Sequence, residues 1–146
     1  MANDEHYTPS WVFDALGLSF DLDVASSNSP YVVVPTIRRY TIEDDGLNKP
    51  WQGLVWMNPP FSGVTPWVDK WIAHGNGFCM VPLASQGRWV NKLWESGAVL
   101  TYMPPNMKFI GGQDNVMCAH RWRIALWAIG DVAVEALSNS GIGKVR

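Results

Sequence analysis

An α/β fold, built on a mixed, largely parallel sheet flanked by helices, is predicted by three features of the sequence. Short apolar runs alternate with helix-like stretches along the chain, the connections between them are short, and Gly, Pro, Asn, Asp or Ser mark most junctions. A chain of 146 residues is expected to form one compact domain, 1–146, that buries roughly two-thirds of its unfolded surface.

The elements follow in order. Thr8-Pro9 reads as a helix start, with Thr8 as N-cap and Pro9 in the first turn, and Gly17 as the stop. Phe20 to Val24 alternates apolar and acidic residues, which predicts a strand. A loop rich in Ser, Asn and Pro runs to Pro35, and an extended piece around Tyr40 leads into Glu43-Asp44-Asp45-Gly46. The next strand is Leu54–Met57. Thr65-Pro66 opens a helix that runs to Gly75, and Gly77–Val81 is a buried strand. Ser85 is placed to cap a helix through Ser96, with Gly97 ending it. Ala98–Met103 and Arg121–Ile129 are expected strands, and Val132–Leu137 is expected to be helical.

Composition narrows the class. No apolar run approaches the ~20 residues of a membrane-spanning helix, and nothing resembles a signal peptide. Two cysteines, Cys79 and Cys118, and three scattered histidines form neither a zinc spacing nor a disulfide framework, so no metal and a reducing, cytoplasmic setting are expected. Most of the nine tryptophans are assigned to the core: Trp67 and Trp71 at i, i+4, and Trp89 and Trp94 close to one helix face. The net charge of −2 hides an asymmetry. Residues 1–61 carry eight acids and three bases (−5), whereas residues 62–146 carry five acids and eight bases (+3). A basic half suits a polyanion, and ordinary surface scatter accounts for the split equally well.

The most informative segment is Leu54-Val55-Trp56-Met57-Asn58-Pro59-Pro60-Phe61, an apolar strand ending in Asn-Pro-Pro-Phe. A residue before proline is held extended, so Asn58 should project its amide from the strand end. Pro59 and Pro60 carry no N–H, so the turn offers carbonyl acceptors without competing donors. Phe61 adds a flat face for a heterocycle. Such a turn suits a planar exocyclic amine such as adenine N6, whose lone pair is delocalised into the ring. Accepting both amine hydrogens, at Asn58 Oδ1 and the Pro59 carbonyl, favours the geometry in which the nitrogen attacks a methyl donor. The alternative is a strand stop with Phe61 in the core.

Taken in order, Tyr7-Thr8-Pro9, Phe20-Asp21-Leu22-Asp23-Val24-Ala25-Ser26, Asp45-Gly46-Leu47 with Trp51, Asn58-Pro59-Pro60-Phe61, Val81-Pro82-Leu83-Ala84 with Trp89, and Met107-Lys108-Phe109 resemble the small phage-type DNA N6-adenine methyltransferases (Dam-like). The resemblance covers residues 7 to about 110. It implies a Rossmann-like, S-adenosylmethionine-dependent enzyme, and at 146 residues no separate target-recognition domain is expected. It places Tyr7, Thr8 and Pro9 beside the methionine part of the cofactor, Asp23 on its amine or ribose, and Asp45 near its adenine. Asn58, Pro59, Pro60 and Phe61 would hold a target adenine flipped out of DNA. Two segments depart from the pattern. Asp23-Val24-Ala25-Ser26-Ser27 stands where a Gly-x-Gly is usual, and Pro105-Asn106 stands where relatives more often place Gly-Arg.

Alternatives remain at several of these positions. Asp21 and Asp23 share one strand face and at most one is expected to reach a ligand, the C-terminal position favouring Asp23. Asp44 and Asp45 also suit a plain turn. Arg88, Lys92, Lys108, Arg121 and Arg123 are the candidates for phosphate contact, each equally at home on a solvated surface. For the whole chain, methylation of an RNA base or a protein glutamine is the competing activity. A non-catalytic nucleic-acid or nucleotide binding module is the competing class, against which the intact Asn58–Phe61 turn argues.

Overall fold

Period-2 alternation in the central strands puts large side chains on both faces of one sheet, and each face is covered by two helices. The computed structural model describes residues 6–83, 88–104, 108–111, 117–119 and 123–146, with only the backbone of 6, 108–111 and 117–119. The elements are β1 (His6–Tyr7), α1 (Ser10–Leu16), β2 (Phe20–Asp23), β3 (Thr36–Arg39), a 3-10 turn (Gly46–Asn48), β4 (Val55–Met57), α2 (Thr65–His74), β5 (Gly77–Pro82), α3 (Arg88–Glu95), β6 (Val99–Tyr102), β7 (Lys108–Gly111), β8 (Met117–Ala119), β9 (Ile124–Ile129) and α4 (Asp131–Asn139).

The main sheet has the order β3-β2-β4-β5-β9-β6. β3, β2, β4 and β5 pair in parallel, and β9 runs antiparallel to both β5 and β6. The expected mixed, largely parallel sheet is therefore present, with four helices. Trp56, Phe78, Met80 and Leu126 point to the side covered by α1 and α4, where they meet Phe13, Leu16 and Leu137. Val55, Met57, Cys79, Val81 and Trp127 point the other way, onto Val68 and Trp71 of α2 and Leu93 of α3. Phe13 packs edge-on against Trp56 at 4.8 Å, and Phe20 sits 5.5 Å from the same indole, which locks α1 onto β2 and β4.

Several expectations change. α1 begins at Ser10 with Pro9 in the cap position, so Thr8 is not its N-cap. Trp94 is 67% exposed while Trp89 packs on the core, because five residues turn a helix by 140° rather than a full circuit. The last strand begins at Ile124, and Ser85 and Arg121 lie outside the described residues. A second sheet, β1-β7-β8, was not anticipated. It pairs Tyr7 with Ile110 and so brings together the two ends of the segment that carried the family resemblance. No described helix is long and apolar enough to cross a membrane.

Candidate active site

β2, β4 and β5 are parallel, so Asp23, the Met57–Asn58 junction and Pro82 all emerge at one edge of the sheet. Ligands of α/β sheets bind beyond that edge. A cavity of about 440 Å³ lies there, and Tyr7, Thr8, Asp23, Asp45, Asn58 and Pro60 all line it. Six of the nine residues expected to bind cofactor or target base thus share one cavity. Pro9, Pro59 and Phe61 do not line it: Pro9 and Pro59 are buried, and Phe61 is half-buried against the α1/α4 side of the core.

The two aspartates of β2 separate cleanly. Asp21 is exposed, and its Oδ2 accepts the Leu54 N–H at 2.7 Å, which ties β2 to the start of β4. Asp23 is 2% exposed and faces the cavity. Burial pushes its carboxyl up from 3.8 to about 6; the Ser26 side chain, the Ala25 N–H and the Arg39 guanidinium pull in the opposite direction. Ser26 Oγ is near enough to favour the charged carboxylate, but no contact it makes has the geometry of a hydrogen bond, leaving it a buried hydroxyl without a partner.

The loop after β2 contains no glycine, yet backbone does approach closely there. The glycine comes from the facing turn: a Cβ on Gly46 would lie 2.2 Å from the Val24 carbonyl oxygen. The preceding residue, Asp45, is the only non-glycine with positive φ among the described residues, at 57°. Such a conformation costs of order 1 kcal/mol and persists only where the surroundings impose it. They do so here. Asp45 Oδ2 accepts from Asn48 Nδ2 at 2.8 Å, and Trp51 Nε1 donates to the Gly46 carbonyl at 2.8 Å. Lys70 Nζ caps the Leu47 and Lys49 carbonyls and lies 5.1 Å from the Trp51 ring centroid. Asp44, by contrast, bonds back to the Thr41 N–H at 2.8 Å and serves the turn.

Trp67 was assigned to the core from its spacing with Trp71; it does pack on the α2/α3 side of the core, stacked on Trp51 at 6.4 Å and 22°, and it also forms part of the cavity wall. Its position in the first turn of the helix after Asn-Pro-Pro-Phe is the signal that pointed there. Thr41, Ile42, Glu43 and the 32–34 valines also line the cavity and carried no such signal. Asn58 Nδ2 donates to Thr8 Oγ1 at 3.2 Å, and Tyr7 OH and Ser27 Oγ share a hydrogen bond of 3.2 Å.

Of the basic candidates, Arg88, Lys92 and Arg123 do not line the cavity. Arg88 is exposed on α3. Lys92 pairs with Asp69 of α2 at 2.8 Å. Arg123 is held by the Met103 carbonyl at 3.0 Å and by the Tyr102 ring, 5.5 Å from the guanidinium carbon. The side chains of Lys108 and Arg121 lie outside the described residues. Among the described residues no three His, Cys, Asp or Glu converge as metal ligands.

Fold and cavity define an α/β protein with a cavity at the C-terminal edge of its parallel strands. The chain belongs to the DNA N-6-adenine-methyltransferase (Dam) family, whose model matches residues 1–118. Nothing among the curated proteins matches it, and nothing among the solved structures.

Proposed function

We propose that the chain methylates N6 of adenine in DNA, using S-adenosylmethionine and a target base flipped into the cavity. The observation that carries this is the opening of the Asn58 amide and the Asp23 carboxylate into one cavity within the family-matched span. The cavity fits the cofactor in size and in chemistry. About 440 Å³ lies within the range of small-molecule sites, roughly 300–1,000 Å³. A carboxylate strained by burial is relieved by a cationic or hydroxyl-bearing ligand, and the buried Ser26 hydroxyl needs a partner. The placement of the site also supports reading the fold as Rossmann-like.

When bound, S-adenosylmethionine supplies an electrophilic methyl group. Asp23 and Ser26 would hold its polar groups, with Tyr7 close by, and Asp45 its adenine beside the Trp67 wall. Asn58 Oδ1 accepts a hydrogen of the target amine and so favours its attack geometry, while Pro60 shapes the cavity wall. Pro59 is buried off the cavity, and its carbonyl would meet the amine only if the turn shifts as the base enters. Phe61, adjoining these acceptors, supports the turn and offers its remaining exposed surface to the base. Flipping costs a few kcal/mol, which these contacts offset. Arg88 and Arg123 are the exposed cations for phosphate contact, with Lys108 and Arg121 as further candidates. Lys92 would have to exchange Asp69 for a phosphate.

The test is incubation of the full chain with methyl-tritiated S-adenosylmethionine and unmethylated duplex DNA, single-stranded DNA or RNA, followed by nucleoside analysis. N6-methyladenine in DNA is expected. Label confined to RNA or to protein glutamine, or no transfer at all, refutes the proposal.

A further inference from the structure

We infer that Thr8 is a positioning residue that sets which way round the Asn58 amide sits, and that Met80 fixes Thr8 in turn. The inference rests on Asn58 acting as the acceptor proposed above. A primary amide has two ends of nearly equal size, an oxygen that accepts and an NH₂ that donates. Rotation by half a turn exchanges them. Only the oxygen end can receive an amine hydrogen, and with the NH₂ turned inward two donors would face each other.

The hydroxyl beside Asn58 does not choose between these ends by itself, because a hydroxyl can donate to the oxygen or accept from the nitrogen. The choice comes from a third residue. Thr8 Oγ1 donates to Met80 Sδ at 3.7 Å, and a thioether can only accept. With its proton committed there, Thr8 Oγ1 has only lone pairs left, and it accepts from Asn58 Nδ2 at 3.2 Å. Thr8 is 3% exposed and Met80 fully buried, so bulk water does not compete for the Thr8 proton.

The three residues are far apart in the chain, separated by 50 and 72 positions, and come from the segment before α1, the turn after β4 and the middle of β5. This accounts for Thr8 differently from either sequence expectation. It does not cap α1, and its contact in the cavity is with the group proposed to hold the target base.

The expected signature is kinetic. Thr8→Val keeps the shape of the side chain but has no lone pair, so the amide loses the acceptor that holds its Nδ2 at this position. The loss should fall on kcat, on the order of ten- to a hundred-fold, because the acceptor matters most as the amine reacts. KM for DNA and calorimetric affinity for S-adenosylhomocysteine should stay within about three-fold, since the cofactor does not meet the amide and the acceptor contributes less to binding the base than to its reaction. Thr8→Ser, which retains the hydroxyl, should recover most of kcat. Met80→Leu frees the Thr8 proton without removing the oxygen and should give an intermediate loss.

The experiment measures all three variants on the full chain at saturating cofactor and DNA, with thermal midpoints as a check on folding. A Thr8→Val kcat within two-fold of wild type overturns the inference, as does a Thr8→Ser variant no better than Thr8→Val. Should Thr8→Val fail to fold, Met80→Leu decides, and a wild-type kcat there overturns the relay. These results can occur while the wild-type chain makes N6-methyladenine, which leaves the proposed function standing. A wild-type chain that makes none overturns both.

Discussion

Replacing Asp23 by Asn should make the protein more stable at neutral pH while weakening its hold on the cofactor. Asp23 is buried at the end of β2, and burial raises its carboxyl from 3.8 to about 6. A raised acid is one whose charged form the fold disfavours. The sign follows: above about pH 6 the native state carries a charge it holds poorly, and the penalty disappears as pH falls through 6 toward 3.8. A shift of roughly two units at about 1.4 kcal/mol per unit amounts to about 3 kcal/mol withheld from stability at pH 7.5. Asparagine has similar size and no charge, so Asp23→Asn should recover most of that. At about 2–4 °C per kcal/mol for a chain of this length, the midpoint should rise by roughly 5–10 °C. Thermal denaturation of both proteins from pH 4 to 8 tests this. The gain should be full at pH 7.5, reduced at pH 5 and small at pH 4. Calorimetry with S-adenosylhomocysteine at pH 7.5 should show weaker binding to the variant. For wild type, affinity should fall as pH drops through 6, because protonation removes the carboxylate acceptor. A gain independent of pH, or a wild-type protein that is the more stable of the two at pH 7.5, refutes the reasoning.

Asn58→Ala should lower turnover by about 3 kcal/mol of transition-state stabilisation, with the fold and cofactor affinity retained; steady-state kinetics within a few-fold of wild type would remove Asn58 from the reaction. Gly46→Ala should destabilise by about 1–3 kcal/mol, because the added Cβ meets the Val24 backbone rather than a movable side chain; an unchanged denaturation midpoint counts against the close approach. Asp21→Ala should cost about 1 kcal/mol through loss of the Leu54 N–H acceptor and leave cofactor affinity alone; a change in affinity would reassign the ligand role within β2. Cys79 is fully buried and burial raises its thiol far above the usual range, so it should resist thiol reagents until the protein unfolds. Its modification at the same rate as in the denatured chain would contradict that burial.

Local pattern carried most of the architecture. The alternation along Phe20–Val24, the apolar run Gly77–Val81, the Gly17 and Gly75 stops, and Pro66 in the first turn of α2 are properties of neighbouring residues, and each appears in the structure close to where the sequence put it. Asn58-Pro59-Pro60-Phe61 was legible for the same reason, since two consecutive prolines dictate the backbone whatever packs around them.

Tertiary structure decided everything that depends on residues meeting across the chain. Thr8 carries a helix-cap signal and, through the resemblance, a cofactor role; in the structure it caps no helix, lines the cavity, and meets Met80 and Asn58, which arrive from distant parts of the chain. Asp21 and Asp23 share a strand face, and position along the strand alone favours Asp23; that Asp21 instead meets the Leu54 N–H and Asp23 a cavity is decided by what packs beside each. Trp67 has core spacing and packs on the core, but that it also walls the cavity depends on Trp51, which arrives from before β4. The β1-β7 pairing joins residues about a hundred positions apart in segments too short to announce themselves as strands. Propensity and periodicity act over a turn or two of chain, so they determine which elements form and where they end. Which side chains converge on the cavity is determined by sheet order and packing, and these are known only once the elements have assembled.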